Sequence, residues 1–347
     1  MNKIKTDISV IVPSKDSSDT LQDLFESFLH QTALPCEIII VDNGSTDNSY
    51  EIANNFAKKN AELKIVVLKE DTPGRSQARN KGIKASIGSI LAFTDTDCHP
   101  ADDWLENIHF FFAKKNDLDA VGGYIRGYKP NTIAQKLKDA ERASTYMNRH
   151  GAVDSLSEIV NNKFMDTANM AIRKKSLSSF LFDEKFVRGE DIDFSCQLFL
   201  NKIQFETNYK KIKVYHSDRT TMTEYLLMIF YYRFSYTQLI KKYFPKKLII
   251  ILPYITSIDL PFPFTAFIGK QFFLFLGVTF AAFLFPYILF IAFSAYIIFV
   301  TFDIWRKKEF NITFFDAFLI SFVRIIQKVL SEMGKICGSI KNKVICL

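Results

Sequence analysis

Cysteine is sparse in this chain and carries no pattern. Its five cysteines, Cys36, Cys98, Cys196, Cys337 and Cys346, form no CxxC pair. That excludes a zinc-finger type of site and a disulfide framework, and suits a reducing compartment. No GxGxxG follows the first β-branched run, Ile8–Val12, which ends in Pro13-Ser14-Lys15-Asp16. The dinucleotide fingerprint of nicotinamide enzymes is thereby excluded. The Gly-rich loop expected of a sugar nucleotidyltransferase is missing from the same place. No basic stripe with interleaved aromatics occurs before Lys241, so the formal net charge of +7 gives no case for nucleic acid. Met1 to Asp7 is polar, and Ile8–Val12 is too short for a signal-peptide core. The polar part is therefore expected in the cytoplasm.

Phe is abundant and unevenly placed: 35 of 347 residues, in a chain that is 48% hydrophobic. Leu248 to Phe302 is almost wholly apolar, whereas the residues before Lys241 read as a soluble protein. Leu248 to Gly269 has the length of a membrane crossing, about 20 residues. Asp259, Pro253, Pro261 and Pro263 also allow it a re-entrant or interfacial course. Phe272 to Phe302, with Pro286 inside, is the stronger span. Lys241, Lys242, Lys246 and Lys247 precede this region and Arg306, Lys307 and Lys308 follow it. Basic flanks of this kind favour both ends on the cytoplasmic side, hence two crossings. Phe314 to Ile340 repeats apolar residues at helical spacing with Arg324, Lys328 and Lys335 between them, which suits a helix on the membrane surface. The expected plan is an α/β domain over 1–245, a transmembrane region over 246–304 with two helices, and an amphipathic or interfacial helix over 305–347. The expected location is the cytoplasmic (inner) membrane, multi-pass.

Strand signals at Ile8–Val12, Glu37–Asp42, Lys64–Leu68 and Ile90–Thr94 alternate with helix signals. The helices run from Ser17 or Ser18 to about Gln31, from Ser45 or Thr46 to about Lys58, and from Gly74 to Ala85. This alternation predicts an α/β fold with a mostly parallel sheet and helices on both faces. Ligands of such sheets bind beyond the carboxyl ends of the strands. Polar clusters stand at three of those ends: residues 13–16, 42–45 and 95–97. Further on, helices are expected at Asp102–Lys115, Thr132–Asn148 and Gly189–Asn201, and strand-like segments at Asp119–Arg126, Phe164–Arg173 and Ile212–Tyr215.

Asp95-Thr96-Asp97 puts two carboxylates at i and i+2 just past a buried strand. Both can reach one hard cation or its waters, and such a cation can neutralise a leaving diphosphate. The same pair also reads as a solvated turn or a helix cap. Asp42 can accept hydrogen bonds from a base or ribose, or can simply precede the Asn43-Gly44 turn. One carboxylate of Glu190-Asp191 can be a general base, although acidic residues suit the first turn of any helix. His216 reads as a metal ligand or as a structural histidine. Arg75 and Arg79 read as phosphate contacts or as solvated arginines.

Six segments together resemble the family 2 glycosyltransferases of GT-A fold, in order and in spacing. They are SVIVPSKDSSDTLQDLFESFLHQT from Ser9, EIIIVDNGSTDNS from Glu37, GRSQARNKGIKASIGSILAFTDTDCHP from Gly74, TANMAIRK from Thr167, GEDIDFSCQL from Gly189, and the later His216. The resemblance covers about Ile8 to Lys242. It implies that Pro13 and Asp16 lie by the nucleotide, that Asp42 binds the base, and that Arg79 and Asn80 sit beside the nucleotide. It also implies Asp95 on the ribose or phosphate side, Asp97 as metal ligand, Asp191 as base, and His216 as a second metal ligand. Gly74, Arg75, Thr96 and Asn169 complete the nucleotide-sugar set, Glu190 accompanies Asp191, and Asp95 is a third candidate ligand. Thr167 replaces a glycine that the family often has two residues before Asn169.

The resemblance further implies inversion of configuration, Mn2+ or Mg2+ as cofactor, and a nucleotide-sugar donor, by family habit a UDP-sugar. The apolar tail implies a membrane lipid or lipid-linked saccharide as acceptor in surface polysaccharide synthesis. A polyprenyl-phosphate acceptor, or a non-catalytic membrane scaffold of the same fold, are the alternatives. Processive members carry Gln-x-x-Arg-Trp; Phe230 to Phe234 lacks both Gln and Trp, so one transfer per acceptor is expected.

Overall fold

The computed structural model describes residues 3–148, 153, 155–161, 163–177, 180–245, 247–251, 255–259, 266–268, 294, 297–298, 300–302, 314–342 and 345–346. The chain divides into two compact units: Met1–Pro130 with Glu141–Asp218, and Asn131–Ala140 with Arg219–Leu347.

Among its described residues the first unit holds ten strands: β1 (Ile4–Lys5), β2 (Ile8–Ser14), β3 (Ala33–Leu34), β4 (Glu37–Asp42), β5 (Ile65–Lys69), β6 (Ile90–Phe93), β7 (Cys98–Pro100), β8 (Ala120–Gly127), β9 (Met170–Arg173) and β10 (Phe205–His216). Eight of them form one sheet in the order β5-β4-β2-β6-β9-β8-β10-β7. The four strands read from the sequence are parallel neighbours. Strand β9 runs antiparallel to both β6 and β8. β8 and β10 are parallel, and β7 closes the edge antiparallel to β10. The sheet is thus mixed, as the expected "mostly parallel" allows. β2 and β4 are buried along nearly their whole length, and their Ile and Val residues serve both faces, as in sheets covered on two sides.

Its helices are α1 (Leu21–Leu29), α2 (Ser49–Lys59), α3 (Arg75–Ala85) and α4 (Trp104–Lys114), followed by α5 (Ile133–Asn148), which begins in the second unit, α6 (Leu156–Asn161) and α7 (Glu190–Leu200). α1 buries Leu21, Leu24, Phe25 and Phe28, the 3–4 spacing of one helix face. Phe25 stacks on Phe56 of α2 with ring centroids 4.0 Å apart. Each fully buried Phe contributes about 1.5–3 kcal/mol. α3 differs: it buries Ser76, Ala78, Arg79, Asn80, Gly82 and Ile83. A Cβ on Gly82 would stand 2.5 Å from Ile11 Cγ2, so glycine is what lets this helix lie so close to β2.

The second unit holds α8 (Met222–Tyr243), α9 (Phe314–Asn342), β11 (Lys247–Ile251), β12 (Ile255–Asp259), β13 (Ala266–Ile268) and β14 (Ile345–Cys346). Thr221 caps α8, accepting from Glu224 N while its hydroxyl donates to Glu224 Oε2 at 2.8 Å. α9 meets α8 at Gly334 and Gly338, where a Cβ would come within 2.5 Å of the Phe230 and Phe234 carbonyl oxygens.

The expected crossing at Leu248 to Gly269 is corrected: its described residues are strands. β11 pairs antiparallel with β12 and parallel with β13. The Ile-rich runs on either side of Pro253 favour extended backbone, and an apolar run alone does not separate strand from helix. Among the described residues no helix is long and apolar enough to cross a membrane. Of the second expected span, Phe272 to Phe302, all but residues 294, 297–298 and 300–302 lies outside the described residues.

Candidate active site

The site lies in the first unit, where β2, β4, β6 and β10 end and α3 and α7 begin. Asp42 ends β4 and is 5% exposed. Its Oδ2 accepts from Ser45 N at 3.4 Å, while the buried Oδ1 has no hydrogen-bond partner. A buried acceptor left unpaired costs about 1–3 kcal/mol, and an N–H of a ligand would satisfy it. Pro13 is the half-buried penultimate residue of β2. Asp16 takes a left-handed backbone (φ 47°). Its carboxylate accepts from Thr46 N at 2.7 Å and its N–H donates to Ser45 Oγ at 3.0 Å, which ties the loop after β2 to the loop after β4.

Gly74 opens α3 at φ 144°, a conformation other residues resist. Its N–H donates to Asn43 Oδ1 at 2.6 Å. Arg75 follows, exposed at the helix start. Arg79 and Asn80 point inwards, 1% and 3% exposed. Arg79 donates from Nη2 to Asp95 Oδ1 at 2.8 Å and from Nη1 to Glu190 Oε1 at 3.0 Å. Asn80 accepts from Phe182 N and donates to Phe182 O, both at 3.0 Å, and also donates to Glu184 Oε1 at 2.9 Å. The amide of Asn80 thus holds the loop before α7 rather than facing an open pocket.

Asp95 follows β6. Burial raises its carboxyl, but the charges of Arg79 and then Arg75 outweigh that and hold it below the ordinary value. Thr96 donates its hydroxyl to Ser17 Oγ at 2.9 Å. Asp97 precedes β7, and β7 pairs with β10 so that Cys98 faces His216 in register. Asp97 Oδ1 thereby stands 3.4 Å from His216 Nε2. Asp97, Cys98 and His216 place one ligand atom each within 4.8 Å of one another. Burial, then Asp97, pushes the Cys98 thiol well above its ordinary value.

Sequence reasoning missed Asp218 and Arg142. Asp218 Oδ1 lies 3.4 Å from His216 Nδ1, and Arg142 pairs with Asp218 Oδ2. Burial raises the Asp218 carboxyl, but the His216 ring and Arg142 bring it down to about 2. The approach stops short of a hydrogen bond, since His216 Nδ1 is buried without a hydrogen-bond partner; the Asp two residues past His216 was the available signal.

Gly189 turns at φ 79° and starts α7 with Glu190 and Asp191. Glu190 is buried on Arg79, while Asp191 is half-buried and accepts from Ile192 N at 2.8 Å. Loss of water, then the charges of Glu190 and Asp166, raise the Asp191 carboxyl to about 8. Asn169 is 1% exposed and has a structural task. It accepts from the Trp104 indole at 2.9 Å and donates to the Tyr124 and Ile212 carbonyls at 3.1 and 3.0 Å. With both its N–H bonds so used, it does not offer the sugar contact expected of it.

Residues 9–181 match the sequence model of glycosyl transferase family 2. The chain is similar to the uncharacterized glycosyltransferase EpsJ of Bacillus subtilis, 27% identical over 222 residues, 62% of this chain and 63% of that protein. It is likewise similar to glycosyltransferase AglE of Haloferax volcanii, 29% identical over 191 residues, 54% of this chain and 60% of that protein. It thus spans less than two thirds of the length of either relative. Its fold is like that of the mannosyltransferase PcManGT of Pyrobaculum calidifontis, solved with GDP-Man and Mn2+. The TM-score is 0.53 at 16% identity, over 69% of this chain and 64% of that one.

Proposed function

With residues 9–181 a glycosyl transferase family 2 domain, we propose that this protein moves one sugar from a nucleotide-sugar, by preference a UDP-sugar, to a hydroxyl of a membrane-associated acceptor, with inversion. The observation that carries the reading is the meeting of Asp97 with His216 in the same unit as the Arg79-bridged Asp95 and Glu190.

Asp42 Oδ1 would take an N–H of the base. Asp97 and His216 would hold a Mn2+ or Mg2+, with Asp95 beside them; a carboxylate and an imidazole suit a first-row divalent ion. The chemistry such an ion supplies is neutralisation of the departing diphosphate. Asp191, once ionised, takes the acceptor hydroxyl proton. The freed oxygen bonds to the anomeric carbon as the bond from that carbon to the diphosphate breaks, and the nucleoside diphosphate leaves.

Support for the membrane-associated acceptor is the apolar sequence from Phe272 to Phe302 and the exposed Ile326, Val329, Met333, Ile336 and Ile340 of α9. The acceptor class in this reading is a lipid-linked saccharide of surface polysaccharide synthesis, and the location is the cytoplasmic membrane. The test is transfer of label from UDP-sugars to membrane lipid extract, with Mn2+, Mg2+ or chelator. Label in the lipid fraction, lost with chelator, supports the reading. Label only in soluble acceptors removes the membrane part.

A further inference from the structure

The guanidinium of Arg79 is 1% exposed and joins two acidic motifs that lie far apart in sequence. One Nη meets Asp95 at the end of β6, and the other meets Glu190 at the start of α7. Its Nε is buried without a hydrogen-bond partner. The two carboxylates therefore set where the guanidinium sits, and it in turn sets how far apart they stand.

Stability alone gives little reason for such a group. Removing a cation from water costs several kcal/mol, and apolar replacements of buried ion pairs are often neutral or stabilising. Arginine does supply what lysine cannot, a rigid fork that addresses two carboxylates at once. Gly82 permits the close approach to β2 of α3, the helix that carries the buried Arg79. Asp95 and Glu190 each commit a carboxylate oxygen to Arg79, whereas the Asp191 carboxylate accepts from its neighbouring Ile192 N.

We propose that Arg79 is a positioning residue rather than a donor contact: it braces the Asp95–Asp97 turn against the start of α7 and so fixes the separation between the donor-side carboxylates and Asp191. This rests on the glycosyltransferase reading above. The brace acts on reaction geometry, for which a displacement of about 1 Å costs on the order of 100-fold in rate.

The test compares wild type with Arg79→Lys and Arg79→Met. It measures UDP affinity by calorimetry in Mn2+, donor KM, kcat and thermal melting. Both variants are expected to bind UDP within about 3-fold of wild type and to lose kcat by on the order of 100-fold, with KM little changed. Glu190→Gln added to Arg79→Met is expected to cost less than about 3-fold more, because the two act as one unit. Arg79→Lys with wild-type kcat overturns the inference. So does a loss confined to KM or UDP affinity, which would make Arg79 a donor contact. A melting temperature for Arg79→Lys more than about 10 °C below wild type also overturns it, since that makes the arginine a stability element. A wild-type protein that binds UDP but turns over no nucleotide-sugar overturns the glycosyltransferase reading first, and this inference with it.

Discussion

Asp97 Oδ1 and His216 Nε2 stand 3.4 Å apart. The approach is made by backbone: β7 is three residues long, and its antiparallel register with β10 sets Cys98 opposite His216. Ser217 N then donates to Asp97 O at 2.8 Å, which locks the turn that presents the carboxylate. Two residues distant in sequence are thus held as neighbours by a strand pair.

Substituting either member of this pair should weaken divalent metal binding. Asp97→Ala and His216→Ala are each expected to lower Mn2+ affinity by at least about 10–100-fold, the loss that removing even a partner behind a ligand brings. The double variant is expected to add little to either single loss. Calorimetric Mn2+ titration in the presence of UDP measures this. Two fully additive losses would argue that the residues serve separate sites.

Asp191→Asn is expected to reduce transfer by about 100- to 10,000-fold, the range for loss of a general base. UDP affinity should stay near that of wild type, since Asp191 belongs to α7 and not to the strand ends that face the nucleotide in this reading. Single-turnover assays beside UDP titration separate the two quantities.

The same residue predicts two opposite pH effects. Its carboxyl is raised from 3.8 to about 8 by loss of water, then by Glu190 and Asp166. A base must be ionised to act, so activity should rise with pH along a limb centred near 8. Stability runs the other way. An acid with a raised folded pKa binds more protons folded than unfolded, so its stabilising contribution is full below about 4 and is lost as pH rises through about 8. Asp191→Asn should therefore melt progressively above wild type from pH 5 to pH 9. A melting difference that is flat across this range would contradict the assignment.

Asn169→Ala should be a folding defect rather than a binding one. It removes the acceptor of the Trp104 indole N–H and a donor to each of the Tyr124 and Ile212 carbonyls. Loss of such buried bonds costs about 1–3 kcal/mol per unpaired group. Gly123→Ala should resemble it, because a Cβ there would lie 2.4 Å from Asn169 Nδ2 and 2.5 Å from Ile212 O. Urea unfolding measures both, and unchanged midpoints would refute the structural role.

Much of the first unit was legible because β-branched runs and helix signals alternate clearly. Glu37–Asp42 was read to the residue, and Asp42, Asp95 and Asp97 follow from being where strands end. β7 was not legible: Cys-His-Pro has no alternation and includes a proline, and only its partner β10 makes it a strand. Nor does a sequence say which arginines turn inward. Arg75 and Arg79 look alike as one helical turn of a basic pair, yet one is exposed and the other is buried between carboxylates. Asn169 misled for a related reason: its three partners come from α4, β8 and β10, which no local pattern brings together. The Leu248 to Gly269 run was read by composition and length, and neither distinguishes strands from a helix there.

Metal-assisted sugar transfer centred on Asp97 would show itself as nucleoside diphosphate release. Purified wild type and Asp97→Ala would be incubated with a panel of nucleotide-sugars and lipid extract, with Mn2+ or with chelator. Wild type is expected to release nucleoside diphosphate from at least one donor, with release abolished by chelator and reduced by on the order of 100-fold or more in Asp97→Ala. Release that survives both chelator and the substitution would contradict it.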